Sequence, residues 1–183
     1  MSLDEAAVER LLAEAEIRAV SNRFARGCDR LDLELVRSCF FADAIDDHGM
    51  YVGDVDGLIA FLEQVLTPEI ATTHFLGQQE YEFVSPDVAY VESLVIARHR
   101  QPPRQGHGLR DAIAFGQYSD RFERRAGEWR IAHRVTLFLP SRIDAVVEDF
   151  PTPPDFATPP RGDASTAGRL VRPESFGRVG VAS

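Results

Sequence analysis

The first part of the chain spaces its apolar residues as an amphipathic helix does. Over residues 3–27 the apolar positions recur mostly at three- and four-residue steps, and charged side chains take the opposite side. Gly27 predicts the end of this helix. Beyond it, residues 31–41 restore the helical spacing, and Asp32 is placed to cap a second, shorter helix. The chain is therefore expected to open with two helices in tandem.

A short strand and a third helix are predicted next. Residues 44–47 have strand character and lead into a turn at 51–53. Asp54 can then cap a helix that runs through Leu66 and is ended by Pro68. This segment completes a mainly helical first half of the domain.

Four stretches rich in Phe, Tyr, Val and Ile follow, with turn signals between them, and they predict strands. Short connections before the second and fourth stretches favour hairpins and antiparallel neighbours, whereas residues 101–110 form a longer Pro/Gly loop. A turn of helix is expected within 141–147. The four predicted strands are 72–85, 88–100, 111–125 and 128–139.

Helices first and a meander of strands afterwards indicate an α+β fold. In such a fold the helices pack on one face of a curved, mostly antiparallel sheet, and a pocket remains between the two layers. One domain is expected over residues 1–148. Residues 149–183 are rich in Pro and Gly and lose all periodicity, which predicts an extended C-terminal tail.

The charge balance excludes several partner classes. The chain has 29 acidic against 20 basic residues and a net charge of −9, so its surface would repel phosphate backbones and anionic lipids. We therefore expect no nucleic acid and no membrane partner. No stretch approaches the apolar length of a membrane span, and the acidic start lacks the pattern of a signal peptide. These features predict a cytoplasmic protein.

The cysteines and histidines give no local metal motif. The two cysteines do not form a CxxC pair, and the five histidines are scattered along the chain. No metal and no cofactor are therefore predicted. His48 and His107 lie in predicted loops, where exposure is the expectation, and Cys28 has no basic neighbour in sequence that would activate its thiol.

Three stretches together resemble a known family. They are residues 24–30, the Thr-Thr-His start of a strand at 72–74, and the closing hairpin at 116–134, in which polar–Tyr–x–Asp–x–Phe precedes Gly–x–Trp–Arg–Ile. With the order of elements, they are similar to the SnoaL-like branch of the nuclear transport factor two superfamily over about residues 3–139. The resemblance implies a cone-like α+β barrel that encloses a pocket.

The polar residues look most similar to the hexachlorocyclohexane dehydrochlorinases and scytalone dehydratases of that branch, which work without metal or organic cofactor. The resemblance implies that Asp29, after the first helix, pairs with His74, and that Arg134 and His99 accompany them. The chain has Phe24 where the dehydrochlorinases carry a lysine, and Cys28 where the dehydratases carry a tyrosine, so neither substrate is carried over. Four further residues are expected to bind substrate. They are Phe24, Cys28, Tyr51 and Tyr118.

An Asp–His pair suits proton abstraction. Imidazole can accept a proton near neutral pH, and a carboxylate on its other nitrogen fixes the tautomer and stabilises the imidazolium that forms. His74 would remove a proton next to a leaving group, Asp29 would orient it, and Arg134 or His99 would stabilise the developing negative charge. On an ideal strand His74 lies opposite the aromatic face, so a bulge near Gly77 is expected.

Two questions stay open at this level. Strand alternation does not decide whether His133 or Arg134 faces the pocket. The favoured function is a cofactor-independent lyase or isomerase of a small apolar cyclic substrate, and the alternatives are a polyketide cyclase or a non-catalytic binding or assembly module, such as the small subunit of a ring-hydroxylating dioxygenase. A homo-oligomer, trimer or dimer, is expected because the outer sheet face would leave apolar residues uncovered.

Overall fold

A computed structural model describes residues 4–149, 159, 161 and 162, and begins with a long helix. Helix α1 spans Glu5–Arg30, with Asp4 as its N-cap. The prediction that Gly27 ends this helix is wrong. Gly27 lies inside α1 because the chain after the helix packs against it: a Cβ atom there would lie 2.7 Å from Val36 Cγ2. As a result the last turn of α1 carries Asp29.

Two further helices follow, each capped by the predicted aspartate. Helix α2 spans Leu33–Arg37, and the Asp32 carboxylate accepts a hydrogen bond from the Leu35 backbone N–H at 3.0 Å. This helix is shorter than predicted because Phe40 already begins a strand. Helix α3 spans Val55–Val65, and Asp54 accepts from the Gly57 N–H at 2.9 Å.

Six strands form one curved, open sheet in which every neighbouring pair is antiparallel except β1 and β6. The order across the sheet is β2-β1-β6-β5-β4-β3. The α+β fold and its four predicted main strands are confirmed. The strands are β1 Phe40–Asp47, β2 Val52–Asp54, β3 Ala71–Ser85, β4 Val88–Gln101, β5 Arg110–Arg125 and β6 Glu128–Ala145.

The last strand corrects one prediction. The expected turn of helix within 141–147 is wrong, because β6 continues to Ala145, which pairs with Arg110 at the start of β5. A long partner strand offers hydrogen bonds to this segment, and they outweigh its weak helical spacing. Strands β5 and β6 therefore pair along their whole length.

Irregularities in two strands decide which side chains face the helices. In β3 the register shifts between Leu76 and Gln79, which confirms the predicted bulge near Gly77. In β6 two successive residues, Ile131 and Ala132, are both buried, and the alternation changes phase after them. Arg134 consequently points inward and is fully buried, whereas His133 is exposed.

The helices cover one face of the sheet and leave the other face open. Helix α1 packs on β3 and β6, and α3 packs on β1. The uncovered outer face keeps large apolar side chains in solvent. These are Phe75, Tyr90, Leu94, Ile96 and Leu137.

The described residues bear on two further predictions, the lack of a membrane span and the C-terminal tail. Within these residues, no helix has the length and apolar character required to cross a membrane. Most of the predicted tail, residues 149–183, lies outside the described part of the chain, but Gly162 donates its backbone N–H to the Arg30 carbonyl at 2.8 Å.

Candidate active site

A cavity of about 490 Å³ lies between α3, the last turns of α1 and the inner faces of strands β3 to β6. Its wall is mainly apolar, and Phe24, Cys28 and Tyr118 belong to it, as the sequence led us to expect. A few polar groups interrupt the wall at separate points. They are His48, Gln64, Thr67, His74, His99, Gln101, Arg104 and Thr136.

Asp29 and His74 are in direct contact at one side of this cavity. Asp29 Oδ1 lies 2.6 Å from His74 Nδ1, and Asp29 Oδ2 accepts the His74 backbone N–H at 3.0 Å. This double contact ties the last turn of α1 to the start of β3 and fixes the imidazole plane. Since an ionised carboxylate only accepts hydrogen bonds, Nδ1 carries a proton and the Nε2 lone pair is left for another partner.

The charge state of Asp29 follows from its surroundings. Burial alone would raise the pKa of this carboxyl group, but the hydrogen bonds and charge of His74 outweigh burial and hold the pKa below its ordinary value. Asp29 is therefore ionised at neutral pH. In that form it holds the proton on Nδ1 and stabilises an imidazolium on His74.

His99 lies beside the pair in a different charge state. Its ring meets that of His74 edge-on, with 5.8 Å between the ring centroids. Burial, reinforced by the positive charge that His74 can carry, lowers the pKa of His99 to about 4. His99 is thus a neutral imidazole at pH 7, which can donate one hydrogen bond but supplies no positive charge.

Arg134 lies behind the cavity wall rather than in it. Its guanidinium forms a bidentate pair with Asp120, with both N–O distances at 2.7 Å, and both side chains are fully buried. The guanidinium carbon lies 4.2 Å from the ring centroid of Phe24 and 4.0 Å from that of Tyr118. Those two rings line the cavity and Arg134 does not. The expected contact between Arg134 and a leaving group has no support in this geometry.

Electrostatics keep Arg134 charged in its buried position. Burial by itself would lower its pKa, but the Asp120 carboxylate more than compensates and raises the pKa above the ordinary value. A permanent cation under two aromatic rings polarises that wall of the cavity. Any influence of Arg134 on a bound molecule would therefore pass through Phe24 and Tyr118.

Of the residues expected to bind substrate, Cys28 and Tyr118 line the cavity in protonated form, whereas Tyr51 lies outside the wall. Burial, reinforced by Asp29, raises the pKa of the Cys28 thiol, and burial likewise raises that of the Tyr118 phenol, so both stay protonated. Tyr51 does not line the cavity. Its hydroxyl donates to the Asp54 carbonyl at 2.7 Å, and its ring stacks on Phe61, which is part of the wall.

The sequence analysis missed two residues close to the polar groups. His48, assigned to an exposed loop, lines the cavity, and the signal that could have revealed it was its position two residues after Asp46, which continues the alternation of Ala44 and Asp46 along β1. Arg161 gave no such signal, because 132 positions separate it from Asp29, whose backbone carbonyl accepts a hydrogen bond from its Nε at 3.1 Å.

The described residues include no group of three or more His, Cys, Asp or Glu side chains arranged to hold a metal ion. Two of the polar groups in the cavity wall, His48 and His74, instead each contact an aspartate. An arrangement of this kind can move protons and donate hydrogen bonds inside an apolar enclosure.

Comparison with known proteins places this arrangement in a family. The helices on an open, curved sheet and the enclosed cavity define the nuclear transport factor two-like class of α+β folds. The chain belongs to the SnoaL-like domain family, whose sequence model matches residues 9–135. No curated protein sequence matches the chain.

Solved structures with the same fold include enzymes. Hexachlorocyclohexane dehydrochlorinase LinA type 3 from Novosphingobium barchaimii LL02 is 19% identical, with a TM-score of 0.68 over 80% of this chain and 99% of its own. A candidate scytalone dehydratase from Novosphingobium aromaticivorans DSM 12444 is 21% identical, with a TM-score of 0.66 over 83% and 99% of the two chains. A protein from Kribbella flavida is 23% identical, with a TM-score of 0.64 over 75% and 95%. At these identities the likeness establishes the shared fold.

Proposed function

We propose that this protein is a cofactor-independent lyase or isomerase that abstracts a carbon-bound proton from a small, largely apolar cyclic substrate. The observation that carries the proposal is the 2.6 Å contact between Asp29 Oδ1 and His74 Nδ1 at the wall of the apolar cavity. Structural neighbours that include a dehydrochlorinase and a candidate dehydratase are consistent with this class of reaction.

The chemistry follows from the protonation states. Asp29 is ionised and keeps the proton of His74 on Nδ1, so that Nε2 is the basic atom. When Nε2 takes a proton from carbon, the adjacent carboxylate stabilises the new imidazolium. Neutral His99, next to His74, can donate a hydrogen bond to an oxygen on which negative charge develops. The apolar wall excludes water and strengthens both interactions.

The cavity limits the substrate. A volume of about 490 Å³ lies within the range of small-molecule sites, and its mainly apolar wall favours a compact ring over a charged or extended ligand. A polyketide cyclase would use the same base and the same enclosure on a different substrate. A protein that only binds a ligand needs no carboxylate within hydrogen-bond distance of the imidazole. The 2.6 Å contact between Asp29 and His74 therefore favours an enzyme.

The test replaces the two members of the pair. We expect His74→Ala and Asp29→Asn to lower kcat/KM on a cyclic alcohol, halide or ketone by at least about 10²-fold, because the base is lost or its tautomer is wrong. His133→Ala, an exposed histidine on the opposite side of β6, is the matched control and keeps the parent rate. Full activity of both dyad variants on a substrate that the parent converts would refute the proposal.

A further inference from the structure

A second carboxylate–imidazole pair faces the same cavity. Asp46 belongs to β1, and His48 follows this strand directly. Asp46 Oδ1 lies 3.2 Å from His48 Nδ1, and Thr136 Oγ1 lies 3.4 Å from the same nitrogen. Asp46 is fully buried and His48 lines the cavity, so this pair repeats the arrangement of Asp29 and His74.

The two pairs lie at different walls. His48 follows β1, whereas His74 lies on β3, and β6, β5 and β4 separate these two strands in the sheet. The ring of His48 packs 6.3 Å from Phe61 and 6.4 Å from Tyr118, while His74 packs against His99. The curvature of the sheet therefore presents two imidazoles to one enclosed volume from separate directions.

A buried carboxylate lies beside His48. Asp46 Oδ1 lies 3.2 Å from His48 Nδ1, whereas the buried carboxylate of Asp120 is engaged with Arg134. Asp46 Oδ2 is buried and has no hydrogen-bond partner. A buried carboxylate is costly without a polar partner, and the contact with His48 supplies one to Asp46 Oδ1. Among the described residues, His48 lies next to Asp46 of β1, Phe61 of α3, Tyr118 of β5 and Thr136 of β6.

We propose that His48 is the general acid that protonates the leaving group, with Asp46 as its positioning residue. The inference rests on the proposed function, in which His74 is the base. His74 Nε2 takes the proton from carbon, the C–H electron pair forms the new C=C bond, and the C–X bond breaks with its electron pair on X. His48 Nε2–H donates its proton to X, so HX leaves, and solvent returns the proton from His74 to His48.

A base and an acid at separate walls match the geometry of an elimination. The abstracted proton and the leaving group occupy neighbouring carbon atoms, and in an anti elimination they lie on opposite faces of the ring. One imidazole cannot reach both faces of a substrate that fills the cavity. A poor leaving group such as hydroxide needs the acid, whereas acetate departs as a stable anion without it. This difference gives the experiment its readout.

The experiment compares two probes that give the same product. Elimination from 3-hydroxycyclohexanone and from 3-acetoxycyclohexanone yields cyclohex-2-enone, which is followed by its ultraviolet absorbance. We expect His48→Gln to lower kcat for loss of hydroxide by about 10²–10³-fold and for loss of acetate by less than about 10-fold. His74→Ala is expected to remove both activities, and His133→Gln is the control that changes neither.

The outcomes separate the two proposals. If His48→Gln affects both probes equally, or neither, the role of His48 is overturned. If His74→Ala is inactive in the same experiment, the proposed function of the Asp29–His74 pair still stands. An active His74→Ala variant removes the base and with it the proposed function. A second measurement needs no turnover: in ¹⁵N NMR of labelled histidines, the Nδ1 resonance of His48 should shift in Asp46→Asn relative to the parent, whereas that of His133 should not. An unchanged His48 resonance overturns the pairing whatever the probes show.

Discussion

His99 shows how the interior of this protein sets the charge of a single side chain. It lies next to an imidazole that becomes positive during the proposed reaction, and burial already disfavours its own charge, so its pKa falls to about 4. A neutral His99 does not repel the imidazolium of His74. Asp29, with its lowered pKa, is the charged group that the described residues place in hydrogen-bond contact with that ring. Asp29 is thus ionised and His99 is neutral at pH 7.

This difference predicts a pH dependence of stability. The ordinary pKa of histidine is about 6.5, so between pH 6.5 and 4 the unfolded chain binds a proton at His99 that the folded chain does not. The free energy of unfolding should therefore fall as the pH is lowered through this window, by about 2–3 kcal/mol from this residue. Urea unfolding of His99→Gln should lack this part of the decrease.

His133→Gln provides the comparison for that series. Its side chain is exposed on the outer side of β6, so its variant should follow the parent curve. A His99→Gln variant whose stability falls with pH as steeply as the parent would contradict the assignment of His99 as a buried neutral imidazole.

At the scale of elements, the close approach of α1 and α2 positions the dyad. The helix continues past Gly27 because the absent side chain leaves room for Val36 of α2. Asp29 is therefore part of a rigid helical turn, and Leu31, in the left-handed conformation with φ 57°, ends the helix immediately afterwards. The backbone of Asp29 is fixed by the helix, and its carboxylate is fixed by the hydrogen bond from the His74 N–H at the start of β3.

Gly27→Ala tests this packing. Alanine favours a helix over glycine by up to about 1 kcal/mol, but here its Cβ would lie 2.7 Å from a side-chain atom of Val36 and 3.1 Å from the Asp32 carbonyl oxygen. The backbone contact cannot be relieved by a rotamer change, so we expect a net loss of about 1–2 kcal/mol in the free energy of unfolding. Gly108→Ala, where a Cβ meets no atom within 4 Å, should change it little. A Gly27→Ala variant as stable as the parent would show that α2 can move away freely.

At the scale of the whole molecule, the outer face of the sheet is the main unexplained surface. Phe75 lies opposite Ile96 across β3 and β4, and their exposed fractions are 65% and 41%. On the same face, Leu94 of β4 and Leu137 of β6 lie on either side of Gln117 of β5, and both leucines are also exposed. Large apolar side chains that are exposed together on one face of a sheet usually mark an interface. We propose that copies of this chain associate through this face.

Ile96→Glu should weaken that association. A carboxylate in the middle of the apolar area must be desolvated on assembly, and this cost shifts the equilibrium towards the monomer. Size-exclusion chromatography with light scattering is expected to give a dimer or trimer for the parent and a smaller mass for the variant. Glu92→Gln, on the same face of β4, is the control. A parent that is monomeric at micromolar concentration would refute this interface.

Local interactions explain what the sequence could predict. Helix caps, hairpin turns and the alternation of apolar residues act over a few positions, so the caps at Asp32 and Asp54 and the four main strands follow directly from the residue order. The bulge near Gly77 was predictable because, in a regular strand, His74 and the aromatic residues that follow it would lie on opposite faces, and a bulge brings them to the same face. The pairing of Asp29 with His74 came from resemblance to a family, not from spacing.

The sequence by itself therefore determined the order of the elements, the α+β class and the family, because each depends on short-range pattern. Only the tertiary structure decided that Gly27 lies inside α1, that Arg134 rather than His133 faces inward, and that His48 and Arg161 lie near the polar groups of the cavity. The physical reason is that these outcomes depend on contacts between distant segments. The phase of β6 and the curvature of the sheet set those contacts, and they bring two helices and four strands together around one cavity.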